Sequence, residues 1–120
     1  MTTLQIKRIY QPVEKTDGKR ILVDRLWPRG LKKEAAQIDE WMKAIAPSDA
    51  LRKWYHQDNA AKWLEFKAKY LLELKQNTAV NDLLDIISKN EKVTFLYAAR
   101  DEQQNHALVL MQFINELLKH

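Results

Sequence analysis

Three segments of the chain have the hydrophobic pattern of β-strands. Residues 4–10 begin with alternating apolar and polar side chains, which predicts a short strand. Residues 19–27 are predicted to be a second strand, which ends at Pro28 and Gly30 because proline cannot donate to a strand ladder. Residues 92–99 form a nearly continuous apolar run, which is typical of a strand buried on both faces.

Helical spacing dominates the middle and the end of the chain. Apolar residues recur every three or four positions from Glu34 onwards, which predicts a helix that stops at Pro47. Later helices are expected where a capping residue precedes an apolar stripe, at Ser48, Asn59, Thr78 and Asp101. The last of these has Gln104 three residues further on, an arrangement that resembles a capping box.

This order of elements indicates the fold class. Helices inserted between strands favour parallel pairing through right-handed crossover connections. We therefore predict a single α/β domain over residues 1–120, with a small, mainly parallel sheet of about three strands, flanking helices and a helix-rich middle region. Because residues 34–90 have so much helical pattern, a mostly helical bundle is the alternative.

Composition excludes several classes of function. The chain has no cysteine, which excludes disulfides, thiolate metal sites and thiol catalysis. Its two glycines are too few for a Walker loop or a dinucleotide fingerprint, and neither serine lies in a nucleophile-elbow motif. No metal site is predicted, because the histidines lack paired zinc spacing and His56 with Asp58 is a weak pair. The sequence identifies no cofactor.

Charge and hydropathy set expectations for location and partners. No segment has the apolar length of a signal peptide or a membrane span, so we expect a cytoplasmic protein without a membrane partner. The net charge of +4 is concentrated in residues 1–33, which hold nine Lys/Arg and three Asp/Glu. This surplus makes a nucleic-acid-binding or regulatory protein the alternative function. A protein-interaction module with exposed tryptophan anchors is a third hypothesis. The sequence does not indicate the oligomeric state.

Residues 23–30, VDRLWPRG, carry the first group of candidate site residues. Arg25 and Arg29 have planar donor groups that suit phosphate or carboxylate, and Trp27 offers a flat surface for a ring. Asp24 would be costly to bury in a strand without a partner. The structural alternative is that Asp24 and Arg25 form structural ion pairs, with Trp27 in the core beside an ordinary turn.

Residues 97–106, YAARDEQQNH, carry the second group. Arg100 and the free amides of the last helix favour an anion at this position. His106 could transfer a proton near neutral pH, and its proximity to Arg100 and Asn105 weighs against a purely structural histidine. Asp101 is expected to be a helix cap rather than a catalytic acid.

Parallel pairing would bring these two segments to one sheet edge, where open α/β sheets bind ligands. The predicted ligand is a small molecule that bears phosphate or carboxylate, bound in a cationic pocket. If the protein is an enzyme, His106 or Asp24 would serve as general acid or base. The predicted ligand-binding residues are Arg25, Trp27, Arg29, Tyr97, Arg100, Asp101 and Asn105. Residues 47–58 could form a rim or lid, although the favoured interpretation of Arg52 is a solvated surface charge.

Three motifs together resemble one bacterial family. VDRLWPRG, APSDALRKWYH and LYAARDEQQNHA are similar to the YeaO-like proteins, the family of domain of unknown function 488. The resemblance spans essentially the whole chain and implies a small stand-alone cytoplasmic α/β domain, but no particular activity. The chain departs from the family pattern after the middle motif, where Gln57, Asp58 and Asn59 stand in place of the expected histidine, aspartate and proline.

Overall fold

A computed structural model describes residues 2–57 and 59–119, without the side chains of residues 59–61. In this part of the chain, the structure has four strands and five α-helices. The strands are β1 (Thr3–Arg8), β2 (Lys19–Leu22), β3 (Glu40–Trp41) and β4 (Lys92–Tyr97). The helices are α1 (Lys33–Ala36), α2 (Asp49–His56), α3 (Asn59–Lys75), α4 (Ala79–Ser88) and α5 (His106–Leu118).

The strands form one parallel sheet in the order β1-β4-β2-β3. The central strand β4 pairs with the whole of β1 on one side and, over residues 93–96, with β2 on the other. A strand between two neighbours and under helices has no solvated face, which accounts for the apolar run that predicted it. The predicted α/β fold with a parallel sheet is confirmed, and the sheet has four strands where about three were expected.

The additional strand lies where a helix was predicted. The prediction of a helix from Glu34 to Pro47 is wrong. The helix α1 ends after one turn, and Gln37 follows it with a left-handed φ of 46°. The chain then runs beside β2, where the backbone N–H of Asp39 donates to the Arg20 carbonyl at 2.8 Å and the Asp39 carboxylate accepts from the Arg20 N–H. These hydrogen bonds to the sheet outweigh the local helical pattern.

The second strand ends earlier than its sequence indicates. The prediction of a strand over residues 19–27 is wrong beyond Leu22, although the Val23 N–H still donates to the Leu96 carbonyl at 3.0 Å. From Asp24 the chain leaves the sheet, and the Asp24 side chain accepts the backbone N–H of Ala98 instead. Residues 24–30 are therefore a loop at the carboxyl edge of the sheet.

Helix starts agree with the predicted caps at some positions. The Ser48 hydroxyl accepts the Leu51 N–H and caps α2, and α4 follows Thr78 as expected. The cap predicted for the Asn59 side chain lies outside the described residues. The prediction that the last helix starts at Asp101 is wrong: Asp101 caps a preceding turn, and Asn105 caps α5 by accepting the Leu108 N–H at 2.8 Å.

The two faces of the sheet bury different kinds of side chain. Side chains alternate along a strand, so Phe95 and Tyr97 face the large core that α2 to α5 cover, whereas Leu96 faces a smaller core with Leu22 and Trp41. The helix interiors that complete the large core are apolar, as their spacing predicted. No helix in the described part of the chain combines the length and the apolar character that crossing a bilayer requires.

The smaller core is bordered by a buried ionic cluster that the sequence analysis did not identify. Asp17, which is 1% exposed, binds Lys7 at 3.0 Å and also accepts a hydrogen bond from Arg20. Burial opposes ionisation of Asp17, but the N–H of Glu14 together with Lys7 and Arg20 holds its pKa below the ordinary value. Burial likewise disfavours the charge on Lys7, yet hydrogen bonds to Glu14 and Asp17 raise its pKa.

Candidate functional site

A cleft of about 420 Å³ opens at the carboxyl ends of β2 and β4. The loop of residues 24–29 forms one wall, and α2 with the Phe66 side chain of α3 forms another. Residues 98–99 and 104–106 complete the cleft after β4. Because parallel neighbours end at the same edge, the two segments with candidate site residues meet here, and the cleft has a size common for ligand pockets.

The two segments are in direct contact through Asp24. Its Oδ2 accepts the Ala98 N–H at 3.0 Å, which joins the loop after β2 to the end of β4. Its Oδ1 lies 3.1 Å from Nε2 of His106, the first residue of α5. The same His106 nitrogen lies 3.0 Å from the Val23 carbonyl oxygen.

Asp24 and His106 form a largely buried pair at the inner end of the cleft. Their side chains are 14% and 16% exposed. Apart from the contact with His106, no described group hydrogen-bonds Asp24 Oδ1, which has almost no access to water. The His106 ring also packs edge-on against Tyr70, with the centroids 6.3 Å apart. Packing and two polar contacts therefore fix the orientation of the imidazole ring.

Arg25 is held by the backbone instead of by a carboxylate. Its Nε donates to the Pro47 carbonyl at 3.0 Å, and its Nη2 contacts the Ala46 carbonyl at 3.4 Å. Of the structural ion pairs in the alternative interpretation, Asp24 has its contact with His106, whereas Arg25 has no carboxylate partner among the described residues. A guanidinium has five N–H groups, and these contacts use two of them. The charge of Arg25 therefore stays available at the cleft.

Two further arginines line the cleft. Arg29 is exposed in the turn that Gly30 closes with a φ of 75°, and the Tyr10 hydroxyl donates to the Arg29 carbonyl. Arg52 of α2 donates to Asp49 at 2.7 Å, while its Nε is buried without a partner in the described chain. With Arg25, the lining thus holds three guanidinium groups and one carboxylate, so its formal charge is positive.

Aromatic rings form the apolar part of the lining. Trp27 packs edge-on against Trp41 and donates its indole N–H to the Leu31 carbonyl at 2.6 Å, which fixes the ring. On the opposite side, Tyr55 stacks on Phe66 with centroids 4.2 Å apart. These fixed rings offer flat apolar surfaces on either side of the arginines.

The structure brings together most, but not all, of the predicted site residues. The cleft includes Asp24, Arg25, Trp27, Arg29, Asn105 and His106. Tyr97 is only 2% exposed and belongs to the large core, so the prediction that it floors the pocket is wrong. Arg100 and Asp101 are exposed but do not line the cleft. Hydrogen bonds from the backbone N–H groups of residues 104 and 103 instead lower the pKa of Asp101.

Arg52 and Phe66 are two lining residues that the sequence analysis does not assign to the binding site. The sequence favours a solvated surface charge for Arg52, and Phe66 belongs to an apolar helical stripe. Such a stripe indicates burial, not contact with a ligand. No group of three or more His, Asp or Glu residues in the described ranges has a metal-binding arrangement, and the weak His56–Asp58 pair lies partly outside those ranges.

Comparisons with known proteins place this sequence in a family. Residues 3–120 match the model of the family described as "Inactive DUF488-N3 subclade". The chain is 46% identical over 114 residues to the uncharacterised protein YeaO of Escherichia coli K12, covering 95% of this chain and 98% of that protein. It is 36% identical over 114 residues to the uncharacterised protein Rv3073c of Mycobacterium tuberculosis H37Rv, covering 95% of each.

The comparison with solved structures finds no significant match. The family match nevertheless extends over the three motifs that line or border the cleft, and over every strand and helix of the fold. By sequence and over nearly its full length, the chain belongs to the YeaO-like proteins of the DUF488 family, in the subclade described as inactive DUF488-N3.

Proposed function

We propose that this protein binds a small molecule that carries a phosphate or carboxylate group next to a planar apolar group. The binding site is the cleft at the carboxyl ends of β2 and β4. One observation carries the proposal: three arginines face a cleft with a single carboxylate, between fixed aromatic rings. Such a combination suits an anionic ligand with a ring, because guanidinium groups bind the anion and the rings bury the apolar part.

Arg25 would be the principal anion-binding residue. Backbone carbonyls hold its guanidinium in place without neutralising it, so little side-chain entropy is lost when a ligand binds. Each hydrogen bond from a charged donor to the anion contributes roughly 1.5–3 kcal/mol. Arg29 and Arg52 would contact the same anion from the loop and from α2.

The proposal is for binding without turnover. The family description names the subclade inactive, which favours a protein that has kept a ligand site without catalysis. In a protein without turnover, Asp24 and His106 would orient the ligand rather than transfer its protons. The cytoplasmic location expected from the sequence is part of this proposal, and it requires no cofactor.

A titration with phenyl phosphate and benzoate tests the proposal. Isothermal calorimetry and thermal denaturation should show saturable binding of at least one probe and a higher Tm. Arg52→Gln and Arg29→Gln should each raise the Kd about tenfold or more, because a charged hydrogen bond is lost. Arg100→Gln is the matched control, since it removes an exposed arginine outside the cleft.

Two results would contradict the proposal. If neither probe gives a saturable signal with the wild-type protein, the cleft is not an anion site. The second contradicting result is that Arg100→Gln weakens binding as much as Arg52→Gln does. That result would mean that the overall charge of the surface, and not the lining of the cleft, attracts the probe.

A further inference from the structure

The surroundings of His106 determine which of its ring nitrogens carries the hydrogen. Nε2 lies 3.0 Å from the Val23 carbonyl oxygen and 3.1 Å from Asp24 Oδ1. A carbonyl oxygen can only accept a hydrogen bond, and so can an ionised carboxylate. An unprotonated Nε2 would therefore place its lone pair against two acceptors. In the neutral imidazole, the hydrogen is on Nε2.

The hydrogen-bonding role of the other ring nitrogen is then fixed as well. A neutral imidazole has one N–H, so Nδ1 of His106 bears a lone pair and can only accept. His106 lines the cleft, and no described group of the chain hydrogen-bonds this nitrogen. The ring cannot readily exchange its two nitrogens, because Asp24, Val23 and the Tyr70 ring hold it. The cleft therefore combines the cationic donors with a fixed acceptor on His106.

We propose that the cleft selects anions that carry an N–H or O–H donor beside the charged group, and that Nδ1 of His106 accepts this hydrogen. The inference rests on the proposed function and specifies the ligand class of the same site. The arginines would bind the anion, whereas His106 would distinguish donor-bearing anions from anions with acceptors only. An acceptor placed against Nδ1 leaves two lone pairs facing each other in a partly buried site, which disfavours binding.

The Val23 carbonyl fixes the hydrogen on Nε2 in this arrangement, and Asp24 contacts the same nitrogen. In Asp24→Asn, the amide oxygen must stay at the Oδ2 position, because the Ala98 N–H donates there. The amide NH₂ then faces Nε2 of His106, but the Val23 carbonyl remains and still accepts the Nε2 hydrogen. This variant should therefore keep the preference for ligands that carry a donor.

Phenylsulfamate and phenyl sulfate are a matched pair of probes. Both are monoanions with the same ring, and they differ in whether an N–H or an oxygen joins the ring to sulfur. At pH 8 the wild-type protein should bind phenylsulfamate about tenfold more tightly, the effect of one hydrogen bond. His106→Gln should abolish this preference, because its amide NH₂ can still donate to the Val23 carbonyl but the Nδ1 acceptor is lost. Glu102→Gln is the control for charge, since it removes an exposed carboxylate outside the cleft and should keep the preference.

The hydrogen position can be measured without any ligand. A long-range ¹H–¹⁵N spectrum of the unmodified protein should show His106 with its hydrogen on Nε2, assigned through the loss of its signals in His106→Gln. A hydrogen on Nδ1 would overturn the inference, whatever the binding results. Equal binding of the two probes would overturn the selectivity but leave the proposed function standing. If neither probe binds, and phenyl phosphate and benzoate also fail to bind, both proposals fail.

Discussion

Two regions of this molecule use arginine in opposite ways. In the ionic cluster beside the smaller core, Arg20 is 4% exposed and binds the Asp17 carboxylate directly. At the cleft, Arg25 is held by the carbonyls of Pro47 and Ala46 and has no carboxylate partner in the described chain. Both guanidinium groups are fixed in position, but only the second keeps a charge that a ligand can use.

The difference shows that a fixed side-chain position alone does not identify an arginine that binds a ligand. A charge that is buried from water needs an opposite charge, so the Arg20 cluster is what a stable core requires. A half-buried charge anchored by carbonyl dipoles keeps contact with solvent and can exchange water for an anion. Backbone carbonyls anchor both Arg20 and Arg25, so the buried carboxylate beside Arg20 is what separates the structural arginine from the candidate binding arginine.

The largest effect is expected when the buried cluster loses its anion. Asp17→Asn keeps the shape of the side chain but leaves Lys7 with only Glu14, whose side chain is 62% exposed, and Arg20 with only backbone carbonyl groups. The free energy of unfolding should fall by about 3–5 kcal/mol in urea denaturation. Asp85→Asn, which removes an exposed pair with Lys89, is the control and should cost about 0.5 kcal/mol or less. Similar losses in the two variants would contradict the structural role of the cluster.

Acid should weaken the same cluster. Asp17 has a pKa below its ordinary value in the folded protein, so its contribution to stability is complete above about pH 3.9 and is lost as the pH falls through the folded pKa. Urea denaturation from pH 7 to pH 2 should show the wild-type protein and Asp17→Asn becoming more alike at the acid end. A constant difference between them would show that the carboxylate charge contributes nothing.

High pH should remove the contribution of Lys7 to stability, just as low pH removes that of Asp17. Its pKa is raised in the folded protein, so its contribution is complete below about pH 10.4 and is lost as the pH rises through the folded pKa. Urea denaturation between pH 9 and pH 12 should show this loss in the wild-type protein. Lys7→Met has no titrating group at this position, so the part of the loss that is due to Lys7 should be absent from this variant.

Replacing Arg25 at the cleft should reduce stability less than Asp17→Asn does, and it should reduce ligand binding. Arg25→Gln removes the hydrogen bonds to Pro47 and Ala46, which should cost about 1–2 kcal/mol of unfolding free energy. It should also abolish the rise in Tm that phenyl phosphate produces. Arg29→Gln is the matched variant, because that exposed side chain should affect binding with a stability change within about 0.5 kcal/mol. A stable Arg25→Gln that still binds phenyl phosphate would remove the distinction between the two regions.

The hydrophobic pattern within a segment predicted those strands and helices whose own apolar side chains stabilise them. The apolar run of β4 indicated its place inside the sheet, and the stripes of α2 to α5 indicated helices. Residues 34–47 were mispredicted because β3 exists only beside β2, and a partner strand is absent from any local window. The start of α5 was misplaced because Asp101 and Asn105 are both good capping residues, and only the turn at Asp101 decides between them.

The site was predictable to the extent that it depends on strand order. The segments after β2 and β4 meet because their strands are parallel neighbours, which the order of elements indicated. The contribution of Arg52 was not predictable from spacing. Its direction depends on how α2 packs, and a hydrogen bond from the Ser48 hydroxyl to Glu73, 25 residues away, fixes the start of that helix.

The sequence by itself determined the α/β class, the excluded chemistries and the two segments that border the cleft, since these follow from periodicity, composition and element order. The tertiary structure alone decided which charges are neutralised. Arg20 and Arg25 lie five positions apart and have the same side chain. One meets a buried carboxylate and the other two carbonyl groups, because the partners come from turns and loops whose positions depend on packing.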